Sequence, residues 1–555
     1  MADFTRLAVL IGLAIVILVR RAFLQYRRDQ RLPPGPRRLP WLGNLHQIPK
    51  QKAYLRYHSP VKPLPSPKLP ILTLSPVRFT EWSKQYGRIF SVKIGPAPAV
   101  VIMDRRLVKD LLDKKSALYS ARPPSFVAQV LITRGDQMLT MNYGDTWRRL
   151  RKTVHRHFFE TACETRHMRL LEAEHTQMLR DFLVRPDQHM RHPARTTNSI
   201  IMSLLYGIRT PSFDTLHVEF LNDLMSRWSK VMEMGATPPV DIFPWLHWIP
   251  QQWLGCWRDR AIDVGIRMKS LYQSLRTKVA DRQQTTDRAP CFISGILEDQ
   301  GKLGLTDNQV DFLGGVMLEG GSDTGSATLQ VLIQAMVLHP EVQRHAQAEL
   351  DAVCGNQCSP VWDDFPKLPY INQVVKETMR WRPISPLGIP HALAEDDWVD
   401  GRYFLPRGTT VFLNIWGLHH DASFYPDPDR FNPHRYEGRT GLAAEYAASA
   451  DYAARDHYGY GAGRRICPGI HLSERSLFLG AAKLLWAFRF EPEHDADGVL
   501  IPIDTDPKTG YSEGLLVAPR PFACRVIPRS KVHEEVIMRE FAEAQRDVFS
   551  QYEDA

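Results

Sequence analysis

The stretch Tyr460-Gly461-Ala462-Gly463-Arg464-Arg465-Ile466-Cys467-Pro468-Gly469 decides the fold of this chain. Its glycines permit a tight backbone turn, and its two arginines bring fixed positive charge beside Cys467. An apolar run of helical character follows from Ile470 to Phe488. Cys467 is therefore predicted near a helix N-terminus, where free N–H groups and the helix dipole stabilise a thiolate. Such a thiolate suits a metal ligand better than a disulfide partner.

Three other interpretations of this stretch are weaker. A nucleotide-binding loop needs G-x-G-x-x-G after a buried strand, and neither the glycine spacing nor the preceding residues Asp451–His457 fit that pattern. A zinc site needs about four ligands, usually partly in short pairs such as C-x-x-C, and no second Cys or His stands at ligand spacing here. A structural buried cysteine explains none of the flanking pattern.

The order Tyr460, Gly463, Arg465, Cys467, Gly469 resembles F-x-x-G-x-R-x-C-x-G, the haem-binding signature of the cytochrome P-450 (haem-thiolate monooxygenase) family. The resemblance implies haem b (iron protoporphyrin IX) as the cofactor and the Cys467 thiolate as the axial ligand of its iron. It also implies that Tyr460, Arg465 and Gly469 belong to the cofactor-binding loop. Tyr460 replaces the usual Phe, and its hydroxyl near the sulfur is expected to tune the iron's potential.

A long glycine-rich helix is the second element that the sequence defines. Thr306 and Gln309 form a capping box, and apolar periodicity then runs to Leu338, just before His339-Pro340. Each glycine inside a helix costs about 0.8–1 kcal/mol against alanine. The helix carries five of them, at positions 314, 315, 320, 321 and 325. They indicate either a group that approaches the backbone closely or tight packing against another helix.

The centre of that helix, Gly320-Gly321-Ser322-Asp323-Thr324, resembles the family's oxygen-binding A/G-G-x-D/E-T. The resemblance implies that Gly320 and Gly321 lie beside the haem. It also implies that Thr324 and Asp323 form the catalytic pair that handles oxygen and its protons. Gly325 stands where the family more often has Thr or Ser, so the second hydroxyl of the usual proton relay is missing.

Two further sites are matched to haem binding. Trp147 and Arg151 are four residues apart and share one helix face. By itself such a pair is more often an ordinary interface patch, but it resembles the family's W-x-x-x-R, which contacts the haem propionates. His391, in Ile389-Pro390-His391, stands where the family places another propionate-binding residue.

A structural triad is implied by two short motifs. Glu377 and Arg380 resemble the family's E-x-x-R, and Arg435 stands in Phe-Asn-Pro-His-Arg-Tyr where F-x-P-E-R-F is expected. An isolated E-x-x-R carries little information because surface ion pairs at this spacing are common. Its order between the glycine-rich helix and the cysteine loop gives it meaning. His434 and Tyr436 depart from the pattern, whereas the arginine is kept.

Composition and charge limit the classes of protein. The chain has 555 residues, 44% of them hydrophobic and 24% charged, which is ordinary for a globular protein with a large core. The net charge of +9 fits an acidic partner or an anionic membrane surface, and no Lys/Arg-dense block with interleaved aromatics indicates nucleic-acid binding. Seven scattered cysteines indicate a reducing compartment rather than a disulfide framework.

The expected fold is mainly α with a smaller β portion, from the Ile89–Met103 and Val411–Asn414 regions, as a cytochrome P-450-like single large domain over 41–530. A proline-rich hinge is predicted at 32–40. Residues 58–78 hold six prolines and no acidic residue, so they are an atypical insertion, either a surface loop or a retained intron. Residues 531–555 show a charged helical pattern and are expected to form a solvated extension.

The first residues predict a membrane anchor. Leu7–Val19 is an unbroken apolar run, and flanking apolar residues extend it to a transmembrane signal-anchor at 4–24. No small-x-small cleavage site follows it, which disfavours a cleaved signal peptide. Arg20, Arg21 and the arginines after them favour a cytosolic location for the rest of the chain. The prediction is a single-pass protein of the endoplasmic reticulum membrane whose catalytic domain faces the cytosol.

The resemblance implies a monooxygenase that inserts one oxygen atom from O2 into a hydrophobic small molecule, in fungal-type secondary metabolism or aromatic hydroxylation. No flavin or NADPH-binding module is recognisable, so electrons are expected from a separate NADPH–cytochrome P-450 reductase. A monomer that binds no nucleic acid is expected. A haem-thiolate isomerase or dehydratase acting without O2 is the alternative, and a haem carrier or sensor is a third. The Asp323–Thr324 pair argues against both.

Overall fold

The computed structural model describes residues 30–39, 42–44, 47, 76–232, 237–285, 290–512 and 514–554. Helices dominate these ranges. The α-helices of more than one turn are α1 (Pro76–Tyr86), α2 (Asp145–Phe158), α3 (Met168–Val184), α4 (His192–Tyr206), α5 (Leu216–Met232), α6 (Trp257–Thr285), α7 (Phe292–Leu303), α8 (Asp307–Leu338), α9 (Pro340–Val353), α10 (Pro369–Trp381), α11 (Ile415–His419), α12 (Ala443–Ala448), α13 (Ile470–Ala487) and α14 (Lys531–Asp547). Single α-helical turns and segments of 3-10 or π helix are Arg105–Leu107, Val108–Lys114, Phe126–Ile132, Glu160–Ala162, Cys163–His167, Pro186–Gln188, Pro244–Trp248, Gln251–Leu254, Trp362–Lys367, Pro433–Tyr436, Gly463–Arg465 and Phe549–Gln551.

Within the described ranges the strands are short and form one larger and three small sheets. They are β1 (Ile89–Ile94), β2 (Ala97–Ile102), β3 (Ile208–Arg209), β4 (His391–Ala392), β5 (Asp397–Val399), β6 (Tyr403–Leu405), β7 (Thr410–Leu413), β8 (Phe488–Pro492), β9 (Cys524–Pro528) and β10 (Glu553–Asp554). The main sheet has the order β1-β2-β7-β4, and only its β2–β7 pair is parallel. The prediction of a mainly helical fold with a smaller β portion is confirmed.

Helix α8 begins where the capping box predicts. The Thr306 hydroxyl accepts the N–H of Gln309 at 3.2 Å, and the Gln309 side chain accepts the N–H of Thr306 at 3.2 Å. The helix packs along α4 and also contacts α6 and α13, and most of its residues are buried. It therefore runs through the interior and carries its central turn into the core.

Packing explains four of the five glycines of α8. A side-chain carbon added to them would crowd a neighbouring side chain: Tyr206 at Gly314, Tyr272 at Gly315, Ile201 at Gly321 and Thr197 at Gly325. These glycines let α4 and α6 approach the helix backbone closely. Gly320 differs, because an added carbon there would meet no protein atom within 4 Å.

The C-terminal residues are part of the folded domain. Helix α14 packs against α3 and buries Val536 and Ile537 completely or nearly so, while β10 pairs in parallel with β3. The expectation of a solvated extension is therefore wrong. The charges that suggested it cover one side of an amphipathic helix whose apolar residues recur at helical spacing.

The N-terminal predictions fall largely outside the described residues. The signal-anchor at 4–24 lies there entirely, and no helix within the described ranges is long and apolar enough to cross a membrane. Of residues 58–78, only 76–78 are described, as the first turn of α1. The hinge is described at 32–39, where the carbonyl oxygens of Pro33 and Pro34 accept hydrogen bonds from Ser91 of β1.

Candidate active site

A tight loop presents Cys467 ahead of α13. Gly463 has a φ of +64°, which favours glycine, and its N–H donates to Asp113 Oδ1 at 2.8 Å. A side chain at this position would also collide with the carbonyl group of Leu112. The Cys467 N–H donates to the Tyr460 carbonyl oxygen at 2.8 Å and closes the loop. The positive φ and the close approach of Leu112 both require glycine at position 463, and the sequence has glycine there.

The Cys467 thiol experiences opposing electrostatic effects. Burial raises its pKa, whereas a hydrogen bond from the Gly469 N–H and the positive charge of Arg151 lower it. The predicted stabilisation near the helix N-terminus is present, but burial outweighs it. A thiolate here therefore needs additional positive charge, which a metal ion supplies. The Tyr460 hydroxyl bonds with Ser473 Oγ at 3.2 Å, so its partner is on α13.

Trp147 and Arg465 share one acceptor. Trp147 Nε1 and Arg465 Nη1 each donate to the carbonyl oxygen of Met138 at 3.2 Å. The guanidinium carbon of Arg465 also lies 4.4 Å from the Trp147 ring centre. From α2, Arg151 Nη2 donates to the Ile466 carbonyl oxygen at 2.5 Å. These contacts bring the three predicted residues together next to the cysteine loop.

Arg122 and His391 complete the same cluster from another side. Arg122 Nη1 donates to the carbonyl oxygens of Ile389 at 2.9 Å and Pro390 at 2.7 Å. The Nδ1–H of His391, the first residue of β4, donates to the Tyr119 carbonyl oxygen at 2.7 Å. Arg122 and His391 are each 7% exposed. The main sheet thus fixes one side of the cluster, and the loop before α2 fixes the other.

The cluster carries positive charge that the protein does not neutralise. Within the described ranges, Arg122, Arg151 and Arg465 form no salt bridge. Burial and repulsion from Arg122 and Arg151 lower the pKa of Arg465 to about 8. Burial lowers the pKa of Arg122 to about 10 and that of His391 to about 3. Arg122 is buried, and Arg151 and Arg465 are half-buried. Cations withdrawn from water are costly unless they are paired, so this cluster fits a ligand with more than one negative charge.

The central turn of α8 contains the predicted acid–alcohol pair. The Thr324 hydroxyl donates to the Gly320 carbonyl oxygen at 2.8 Å. Asp323 keeps an accessible side chain, yet the surrounding protein raises its carboxyl pKa to about 6 by desolvation. A side-chain carbon added at Gly321 would crowd Ile201 of α4, so α4 packs closely at this turn, and the position of Gly321 beside the cofactor stays a prediction. Gly320 alone leaves room beside the helix.

Two groups near these residues were missed by sequence reasoning. Glu319 is buried one helical turn before Asp323, and its Oε2 accepts a hydrogen bond from Gln137 at 3.1 Å. An acid inside the apolar run of a helix was a signal that could have identified it. Arg122 carries no such signal, because its position depends on a contact with the distant residues 389–390.

Glu377, Arg380 and Arg435 form one buried ionic group. Arg380 makes a two-point contact with Glu377, at 2.7 Å from Nε to Oε2 and 2.8 Å from Nη2 to Oε1. Arg435 Nε lies 3.4 Å from Glu377 Oε1. The side chains of Glu377 and Arg380 are fully buried. Arg380 also donates to the His419 carbonyl oxygen at 2.9 Å, so the group fastens α10 to α11.

A mainly helical fold with a cysteine loop beside unneutralised cations is the arrangement of a haem-thiolate enzyme. The family model described as Cytochrome P450 matches residues 71–522, and the chain belongs to the cytochrome P450 family. It is a monooxygenase, and haem is its cofactor. The cluster fits that cofactor, because two propionate groups match buried and half-buried arginines that form no salt bridge with the described residues.

The similar proteins cover nearly the whole chain. Cytochrome P450 monooxygenase yanC of Aspergillus niger is 60% identical over 546 residues, 98% of this chain and 97% of its own. Cytochrome P450 monooxygenase macC of Penicillium terrestre is 59% identical over 547 residues, 98% of each chain. A solved zebra fish cytochrome P450 with abiraterone has a TM-score of 0.64 and 23% identity, and covers 82% of this chain and 100% of that one. The last comparison supports the fold alone.

Proposed function

We propose that the protein inserts one oxygen atom from O2 into a hydrophobic small molecule of fungal secondary metabolism, aromatic compounds included. In this proposal Cys467 is the axial ligand of the haem iron. The observation that carries it is the group of buried and half-buried arginines next to the cysteine loop, which have no carboxylate partner among the described residues. Fungal monooxygenases 59–60% identical over almost the whole chain add support.

Each member of the cluster has a proposed part in holding the cofactor. Arg122, Arg151 and Arg465 would bind the propionates by charge and hydrogen bonds, and His391 would donate through Nε2 once the propionate charge favours its protonated form. Trp147 would fix the Arg465 guanidinium through its ring. Gly320 and Gly469 would leave room for the flat face of the cofactor, since an added carbon at either meets no protein atom within 4 Å. Glu377, Arg380 and Arg435 would stabilise the fold around the site.

Haem with a thiolate ligand supplies the oxygen chemistry when bound, and the protein supplies position, exclusion of water and protons. A carboxyl with a pKa of about 6 exchanges protons readily near neutral pH, so Asp323 is the proposed acid. The Thr324 hydroxyl lies in the same turn and can donate to oxygen once it leaves the Gly320 carbonyl. Together they would pass protons to the reacting oxygen.

Electrons are proposed to come from an NADPH–cytochrome P450 reductase, and the enzyme is proposed to act as a monomer on the cytosolic side of the endoplasmic reticulum membrane. The apolar run Leu7–Val19 and the arginines after it support a single anchor at 4–24. Removal of residues 1–31 should release the protein from microsomes. Extraction of the intact chain by alkaline carbonate would contradict the anchor.

The function is tested with haem-loaded protein, a fungal NADPH–cytochrome P450 reductase and isotopically labelled O2. Hydrophobic aromatic compounds that shift the haem spectrum are the substrates to use. The proposal expects NADPH-dependent products that carry one labelled oxygen atom. Conversion of an oxygenated substrate without NADPH or O2 would instead favour an isomerase or dehydratase.

A further inference from the structure

Acidic residues recur every four positions along the first half of α8. Asp307, Asp311, Glu319 and Asp323 have this spacing, and Gly315 takes the remaining place. Residues four apart form one ridge along a helix. The ridge therefore leads from the N-terminus of α8 to the central turn, with a gap at the glycine.

The outer end of this ridge reaches solvent. The Asp307 side chain is 66% exposed, whereas that of Asp311 is 2% exposed. Arg276 of α6 joins the two carboxylates, with Nε 2.6 Å from Asp311 Oδ1 and Nη2 3.4 Å from Asp307 Oδ2. Lys269 of α6 also acts on Asp311 electrostatically. Because both carboxylates contact one guanidinium, the first buried acid of the ridge lies next to an exposed one.

Two tyrosines cover the glycine gap. Tyr206 of α4 and Tyr272 of α6 lie against Gly314 and Gly315, and the Tyr272 hydroxyl donates to Glu319 Oε1. The Tyr206 hydroxyl is buried and has no hydrogen-bond partner among the described residues. A buried hydroxyl of this kind is a place where an ordered water bridges polar groups. The hydroxyl groups of the two tyrosines therefore continue the ridge at Gly315, where the helix has no side chain.

Towards the inner end of the ridge, Glu319 is a buried acid that has no cationic partner among the described residues. Within the described part of the chain, Glu319 forms no salt bridge; its oxygens accept from Tyr272 and Gln137. Burial raises its pKa to about 7, and the charge of Asp323 acts in the same direction. A neutral carboxyl both donates and accepts hydrogen bonds. Gln137 Nε2 faces Glu319, and Gln137 Oε1 is buried without a partner among the described residues, so turning this amide over would present an acceptor to the carboxyl proton.

We propose that Asp307, Asp311, Glu319 and Asp323, with the hydroxyl groups of Tyr206 and Tyr272 between them, carry protons from the protein surface to the central turn of α8. Each carboxyl releases one proton inward and regains one from the group behind it, so the net change is one proton moved and no oxidation. The inference rests on the proposed function, because oxygen insertion consumes protons at that turn.

The deciding variant is Glu319→Gln. Glutamine keeps the size of the side chain and an oxygen that accepts from Tyr272, and its new amide can donate to Gln137 Oε1 once the Gln137 amide has turned over. The hydrogen bonds survive while proton transfer is lost. Tyr272→Phe is the second variant, because the ring over Gly315 stays. Tyr511→Phe is the matched control, since Tyr511 is a buried tyrosine bonded to Gln334 of the same helix.

The haem-loaded variants are compared for product and hydrogen peroxide formed per NADPH oxidised. We expect product formation to fall by about 10²-fold in Glu319→Gln, with peroxide rising in its place, and Tyr272→Phe to shift in the same direction. Tyr511→Phe should match the wild type. Normal coupling in Glu319→Gln, or in Tyr272→Phe if the first variant loses haem, overturns the relay.

Infrared spectroscopy tests the relay independently of turnover. The wild type should show a protonated carboxyl band that shifts in D2O and disappears in Glu319→Gln. A spectrum unchanged by this substitution overturns the relay, because Glu319 would hold no proton to give. Failure of the proposed function is distinct: the wild type would then form no NADPH-dependent product despite normal haem, and the infrared result would still decide the relay.

Discussion

The Arg465 guanidinium stacks on the Trp147 ring, 4.4 Å from its centre, while both side chains donate to the same carbonyl oxygen. This contact joins the cysteine loop to α2, elements more than 300 residues apart in sequence. The single donor of Trp147 is used in this bond, whereas Arg465 forms no salt bridge with the described residues. The contact therefore holds the Arg465 guanidinium in place and leaves its charge available for an anionic ligand.

Arg122 lies outside the family motifs, so its substitution tests independently whether the arginine cluster binds haem. Arg122→Gln should lower haem retention, because a hydrogen bond to a charged group contributes about 2 kcal/mol, roughly 30-fold in affinity. Haem loss to a haem-scavenging protein gives the measurement. Arg149→Gln is the control, since Arg149 is an exposed arginine of α2. Equal haem loss in the two variants would show that Arg122 does not bind the cofactor.

Thr324 is expected to govern how NADPH is used. Thr324→Ala should keep haem and fold, because the side chain is small and its hydroxyl bonds only within the helix. Peroxide per NADPH should rise and product should fall, by up to about 10²-fold. Gly325 offers no neighbouring hydroxyl to compensate.

Thr328→Ala is the matched control for Thr324→Ala. The Thr328 hydroxyl makes the same kind of bond one turn later, to the Thr324 carbonyl oxygen at 2.9 Å. If the two variants couple NADPH oxidation to product equally well, Thr324 has no special part in proton delivery.

Sequence reasoning worked where a pattern is local. The capping box at Thr306 marked the start of α8, and the period of its apolar residues marked its end. The cysteine loop needed only its own ten residues. Arg122 and the tyrosines over Gly314 and Gly315 could not be predicted, because their roles arise from contacts between distant segments. The prediction of a solvated extension at 531–555 failed because it was based on charge alone, and a charged amphipathic helix can still bury one face.

The packing of α14 predicts a stability effect far from the active site. Ile537→Ala should lower the free energy of unfolding by about 3 kcal/mol, the range for a fully buried aliphatic side chain. Met538→Ala, at a neighbouring position that is 45% exposed, should change it by less than about 0.5 kcal/mol. Chemical denaturation of both variants gives the comparison. A solvated extension would show no difference between them.

His175 predicts a dependence of stability on pH. It is fully buried between α3 and α13, and burial lowers its pKa from 6.5 to about 4. The unfolded chain therefore binds a proton more readily, so the free energy of unfolding should fall as the pH drops from about 6.5 to about 4. The contribution of His175 amounts to about 3 kcal/mol.

Thermal unfolding of the wild type and His175→Asn across this pH range isolates that contribution. The variant should be less stable at neutral pH but should lose less stability on acidification. Parallel pH profiles of the two proteins would mean that the fold does not lower the pKa of His175.

The identity of the haem ligand is the central claim, and the carbon monoxide spectrum of the reduced protein tests it most directly. Wild type and Cys358→Ser, a change at an exposed cysteine, should both show the red-shifted ferrous carbonyl band of a thiolate-bound haem. Cys467→Ala should lose haem or bind it without that band. A normal red-shifted band in Cys467→Ala would contradict the account.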